Sequence, residues 1–203
     1  MVYILALVLL LGCCSCAKER RVADEPWPVE EFSDGDLVFR RGIGLMSRAV
    51  LVADGSGMYS HVGILKKVEE EWHVIHAVPG EPDYDGDVDR VKVEPLVRFW
   101  ATDRAVRGAV MRMEVDSQLA AGAAVQAWQI AQRGTLFDHD YDLADTTAMY
   151  CTELVDFVYR KVGVDVSEGR LSRVNVPGVG GDYLLPGDLA DNRQLKLVFE
   201  FSR

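Results

Sequence analysis

Cysteine is scarce in this chain. Of four in 203 residues, three fall at positions 13, 14 and 16, which leaves Cys151 as the one thiol of the remaining sequence. A folded unit with a single cysteine has no internal disulfide framework, so its stability must come from core burial. Positive charge is also in short supply. Lys and Arg number 22 against 32 Asp and Glu, for a net charge of -10. That balance excludes nucleic acid, whose phosphates need clustered Lys and Arg, and a polybasic membrane patch. Histidine is rare too: His61, His73, His76 and His139 include no pair at helical i, i+4 spacing, which leaves zinc little support and no metal or cofactor expected. Long apolar runs are missing as well. "MVYILALVLLLG", residues 1–12, is apolar and uncharged but too short for a membrane-spanning helix.

That first run suits the apolar stretch of a secretory signal, although no Lys or Arg precedes it. Leu10 and Gly12 ahead of Cys13 resemble the lipobox of bacterial lipoproteins, in which the cysteine is acylated. Cys16 is the alternative acceptor, and an ordinary cleaved signal the alternative to both. The expected organisation is a signal peptide over 1–12, a lipidated N-terminus and tether over 13–31, and one folded domain over 32–203. The protein is therefore expected to be exported to a bacterial cell envelope and to meet the membrane only through its anchor.

Within the domain, "DGDLVFRR" predicts a turn and a strand. Ile43, Met46, Val50 and Ala53 stand at helical spacing. Residues 61–68 and 72–78 read as a hairpin, and "VKVEPL" and "GAVMRMEV" as further strands. The Ala-rich stretch 117–133 reads as a helix with an Asp116 or Ser117 N-cap and a stop at Gly134. Cys151, Leu154, Val155, Val158 and Val162 share one face of a second helix ended by Gly163. "VPGVGG" reads as a loop, "LPGD" as a turn, and "LKLVFEF" as the last strand. Adjacent strands without regular strand–helix alternation predict an α+β fold with an antiparallel sheet packed on helices.

A cysteine in the first turn of a helix lies near backbone N–H groups that favour a thiolate and can serve an oxyanion. A base must accompany it. His61 and His76 can reach one sheet edge from neighbouring strands, with one nitrogen of His61 toward sulfur and the other toward His76. Each also has a bland reading, as a packed core thiol or a satisfied strand histidine. His73, at odd spacing from His76, falls on the other strand face, and His139 lies in an acidic surface loop. Asp83, Asp85, Asp87, Asp89 and Glu94 mimic a calcium loop, but Val88 stands where glycine is needed and strands flank it. "GVGG" does not follow a strand and open a helix, so it offers no phosphate cradle.

"SHVGI" followed by "VIHA" resembles the second half of the NlpC/P60 cysteine peptidase pattern, and "YCTELV" resembles that family's nucleophile helix. Here the cysteine follows the histidine. That order, with "GDLVF" at 35–39 and "FDHDYD" ahead of the cysteine, is similar to the circularly permuted branch, the papain-like amidases related to the YiiX and YaeF lipoproteins. The resemblance covers about residues 34–160. It implies a permuted papain-like fold and a cysteine hydrolase acting on amides through a thioester, with cell-wall peptides as natural substrates. It makes Cys151 the nucleophile, His61 the general base and His76 the orienting third residue. That last position is often Glu in the permuted branch. The Cys151 backbone N–H is the expected oxyanion donor, with Tyr59 or Tyr150 as a second. Relatives resembling lecithin retinol acyltransferase make acyl-lipid ester or thioester chemistry the alternative. A binding lipoprotein without chemistry is the third reading.

Overall fold

The computed structural model describes residues 27–203 apart from residue 56 and residues 177–178. The expected signal segment, Cys13, Cys14, Cys16 and the tether up to residue 26 lie outside the described residues. Strands β1 (Leu37–Arg41), β2 (His61–Val68), β3 (Glu71–Val78), β4 (Arg90–Pro95), β5 (Arg107–Met113) and β8 (Leu195–Ser202) form one sheet in the order β4-β3-β2-β1-β5-β8. Every neighbouring pair is antiparallel. Helices α3 (Ser117–Gln132) and α4 (Cys151–Lys161) pack on this sheet. The fold is α+β, as the strand-rich first half predicts.

Period-two alternation gives each strand two destinations. Leu37, Phe39, Val62, Ile64, Ile75 and Ala77 join Leu154, Val155 and Val158 of α4 and the alanines of α3 in the larger core. Val38, Leu65, Val74 and Val110 point the other way, into a smaller cluster with Phe99, Trp100 and Phe32. Trp27 belongs to that cluster, edge-on to Trp100 at 4.8 Å. The sequence had assigned Trp27 to the tether; burial of its indole draws the chain into the fold before residue 32. Truncating a core residue such as Leu154 is expected to cost about 2–5 kcal/mol.

Two elements of the "GDLVF" segment are fixed by contacts its short pattern does not advertise. Gly35 has φ +93°, and a Cβ there would stand 2.3 Å from the Ala120 carbonyl oxygen of α3. Asp36 is buried and receives both arms of Arg112, at 2.7 Å each. The segment thus locks β1 to α3 and β5.

Several expectations need correction. The predicted helix α1 (Leu45–Asp54) forms, but it buries none of its residues; Ile43 and Met46 are 46% and 56% exposed. Its apolar face borders a cleft rather than a core. "VKVEPL" ends one residue early, because Pro95 opens a short helix α2 (Leu96–Phe99). Residues 176 and 179–181 of "VPGVGG" are strand residues, in a hairpin of β6 (Ser172–Val176) and β7 (Val179–Tyr183). "LPGD" opens a helix α5 (Pro186–Ala190), with Pro186 at the first turn where its missing N–H costs nothing.

Candidate active site

The β2–β3 hairpin builds one wall of the site by coming apart. Its residue pairing runs from Val68↔Glu71 to Ile64↔Ile75 and stops there. Beyond that point β2 stays on β1, with Arg40 opposite His61, while β3 stays on β4, with His76 opposite Lys92. Gly63 sits at the fork. A Cβ on it would meet Val74 Cγ1 at 2.5 Å, the Ile75 oxygen at 2.9 Å and His76 Cβ at 3.1 Å. The glycine of "HVGI" is therefore what lets the two histidine-bearing segments lie this close.

Across the fork the side chains replace the ladder. His61 Nε2 lies 2.8 Å from His76 Nδ1. His76 Nε2 and Glu94 Oε1 face each other at 3.0 Å as an ion-pair contact without hydrogen-bond alignment, and neither atom has a hydrogen bond elsewhere. Glu94 Oε2 accepts from Arg104 Nη1 at 2.8 Å. Phe99 closes the far side, 5.7 Å from the His61 ring and 5.2 Å from that of His76. His61 and His76 are 7% and 0% exposed. Burial, with the Arg40 guanidinium, holds His61 well toward the neutral form; burial lowers His76 too, against the opposing pull of Glu94.

The thiol arrives from α4. Tyr150 is the N-cap and Cys151 the first helical residue, while Glu153 Oε2 accepts from Tyr150 N at 3.2 Å to fix that end. Cys151 and His61 line the same cleft, of about 650 Å³. The Val62 N–H, freed where β2 and β3 part, faces the sulfur together with the N–H groups of Thr152 and Cys151. These donors favour a thiolate, as the helix position predicts. Burial outweighs them and pushes the thiol up to about 11. The expectation of a thiolate-favouring position thus meets a neutral thiol beside a neutral imidazole.

The other sequence-derived candidates separate clearly. Tyr150 lines the cleft, and its buried hydroxyl has no hydrogen-bond partner. Tyr59 does not line it; it is a core residue packed 5.1 Å from Phe39. His73 takes a backbone contact to Glu71 on the outer side, and His139 is exposed beside Asp89 at 3.3 Å. The carboxylates that mimic a calcium loop have other partners. Asp83 holds Arg90 and Lys92, Asp87 holds Arg90, and Glu94 holds His76 and Arg104.

Sequence reasoning did not find the charged shell around the histidines. Arg40 is buried, pairs with Glu81, donates to the Phe99 carbonyl at 3.1 Å and lies over the Phe99 ring. Glu81 also takes Arg104 at 2.6 Å, and Lys92 donates to the Glu81 carbonyl at 2.6 Å and to Asp83 at 2.8 Å. These contacts pin the Pro79–Asp89 loop against the cleft. Only one hint was in the sequence: Glu94 alternates with Lys92 on a strand beside His76, a pattern the calcium-like spacing obscured. "FDHDYD" does its work through Asp138, which accepts from the N–H of Asp140 and Asp142 and curls the loop that brings Phe137 and Tyr141 to the cleft.

Comparison with known proteins bears on the fold and the family. Among curated proteins none matches the chain. The fold is similar to that of a crystal structure described as metalloprotein yiiX from Escherichia coli O157:H7, with a TM-score of 0.69 at 21% identity over 85% of this chain and 99% of that one. Among the described residues of this chain, no three His, Cys, Asp or Glu side chains converge as a metal-ligand set. The sequence profile of the permuted papain-like amidases, the YaeF/YiiX or C92 family, matches residues 31–199. With that match over most of its length, the chain belongs to the permuted papain-like amidase family.

Proposed function

We propose that the protein is a cysteine amidase or peptidase. The observation that carries this reading is the meeting of Cys151, at a helix N-terminus, with His61 in one cleft, where His61 is backed by His76 at 2.8 Å. With the thiol neutral at rest, attack and proton transfer run together. Sγ bonds to the scissile carbonyl carbon while its proton passes to the free nitrogen of His61. The N–H groups around Cys151 take the oxyanion, and the buried Tyr150 hydroxyl is placed to join them. The proton then goes to the leaving amine, a thioester remains, and water hydrolyses it. Base assistance typically contributes 10²–10⁴-fold, and one oxyanion donor about 10²–10³-fold.

The test is trapping. A soluble domain incubated with cell-wall peptide fragments should show a covalent acyl adduct by intact mass, absent in Cys151→Ala. No turnover and no adduct with any amide or ester would sink the reading. A second reading has one observation in its favour. Ile43, Leu45, Met46 and Val50 give the cleft an apolar lip, and Leu45 is 83% exposed. Turnover confined to acyl esters or thioesters would select it. We also infer export and acylation at Cys13, on the strength of residues 10–16. The mass of the mature N-terminus tests this: a diacylglyceryl-modified Cys13 supports it, and an unmodified start overturns it.

A further inference from the structure

We propose that Glu94 is a positioning residue that fixes which nitrogen of each histidine carries the proton, so that His61 offers a bare Nδ1 as the base. The assignment follows from which groups can only donate or only accept. Arg104 can only donate, and its Nη1 lies 2.8 Å from Glu94 Oε2. Burial pushes the Glu94 carboxyl up, but His76 first, then Arg104 and Lys92, hold it ionised, down to about 2. An ionised carboxylate only accepts, so the proton between Glu94 Oε1 and His76 Nε2 belongs to His76. A neutral His76 then has its lone pair on Nδ1. The 2.8 Å contact to His61 requires His61 Nε2 to donate. A neutral His61 is left with a bare Nδ1.

The charged groups that face the relay pull in two directions. Arg40 and Lys92 oppose protonation of His61. At His76, Glu94 favours the proton, Arg40 opposes it, and Glu81, itself paired with Arg40 and Arg104, favours it. Of these groups Glu94 is the one that lies against a ring nitrogen, so the resting tautomers are set through it. When His61 gains the thiol proton, His76 and Glu94 face the new charge with a dipole and an anion already in place, without themselves moving a proton.

The test is Glu94→Gln. Beside Arg104 the amide must turn its oxygen to the guanidinium and its NH₂ to His76 Nε2. That nitrogen must then accept, the proton shifts to His76 Nδ1, His61 Nε2 becomes an acceptor, and His61 Nδ1 is capped. In ¹⁵N-histidine-labelled protein, the wild type should show both rings protonated at Nε2, and Glu94→Gln both at Nδ1. The double variant Glu94→Gln/Arg104→Met, in which the amide can turn back, should restore the wild-type pattern. If the hydrolase reading above holds, kcat should fall at least about 100-fold in Glu94→Gln with KM little changed, and recover in part in the double variant. A wild-type His61 protonated at Nδ1, or a Glu94→Gln protein with unchanged tautomers, overturns the proposal. If Glu94→Gln fails to fold, the wild-type spectrum alone decides. Correct tautomers in a protein without turnover would reject the hydrolase reading and leave this assignment standing.

Discussion

Two glutamates, Glu94 on β4 and Glu153 in the first turn of the thiol-bearing helix, are buried to nearly the same degree and behave in opposite ways. Glu94 is 4% exposed and Glu153 3%. Burial pushes both carboxyls up, yet Glu94 ends at about 2 and Glu153 at about 8. The difference is the company each keeps. Glu94 faces His76, Arg104 and Lys92. Glu153 has one backbone donor, Tyr150 N, an Oε1 with no partner, and the negative field of Asp138, Asp142 and Asp145. Desolvation alone does not decide the state of a buried acid; the sign of its neighbours does. One half of the molecule therefore holds a paired ionic shell around the histidines. The other holds a carboxyl that stays protonated at neutral pH while it caps the nucleophile helix.

The largest break in this contrast comes from stripping Glu94 to Ala. His76 Nε2 then loses its carboxylate and Arg104 keeps only Glu81, and breaking a buried pair in this way costs about 3–5 kcal/mol. Urea unfolding at pH 7 measures it, and a loss below 1 kcal/mol would mean that water repairs the shell.

The pH dependence of stability sharpens the contrast, because the two acids contribute with opposite sign. Glu94, depressed when folded, adds stability that is present above the unfolded carboxyl range and is lost as pH falls toward 2. Glu153, raised when folded, binds its proton more tightly in the native state, so stability declines as pH rises from about 4.5 toward 8. Glu153→Gln keeps an acceptor for Tyr150 N but has nothing to ionise. Relative to the wild type, its unfolding free energy should gain steadily through that window, ending ahead at pH 9 by an amount on the order of a few kcal/mol. Parallel curves for the two proteins would place the ionisation elsewhere.

Gly63→Ala probes the geometry that makes the paired side possible. The added methyl must displace Val74, the Ile75 carbonyl or His76, so about 1–3 kcal/mol of stability should go. Histidine shifts should move as well; a variant with unaltered His76 resonances would show that the fork yields freely. The smallest effect is expected at Arg160, half exposed and bound to Asp156 at 2.6 Å on the Glu153 side. Arg160→Ala should change stability by about 0.5 kcal/mol, as helical surface pairs do, read from the same urea curves.

How much of this was legible in sequence depends on how local each cause is. The hairpin, α3, α4 and the thiol's place in the first helical turn follow from period and cap signals within a few residues. Cys151, His61 and His76 were found because a short motif surrounds each. The split of β2 from β3 was not, since it depends on what a Cβ at Gly63 meets across the strand. The shell of Arg40, Glu81, Lys92 and Arg104 escaped for the same reason. Its members are scattered over 65 positions and meet only when four elements converge, and a charged residue in sequence reads as solvated surface until its neighbours are known. Helix α1 was legible as a helix from its spacing, but not that its apolar residues would border a cleft and stay open.

The order of the permuted chain has a consequence for synthesis. His61, His76, Glu94 and Arg104 all precede Cys151, and α3 lies between. A ribosome delivers residues N-terminal first, so the proton relay is made before the atom it serves. A growing chain that ends before α4 can carry the base and its ionic shell and yet hold no nucleophile from the domain. Reactivity comes only when this later helix docks against β2 and β3, so a single packing step arms the cleft.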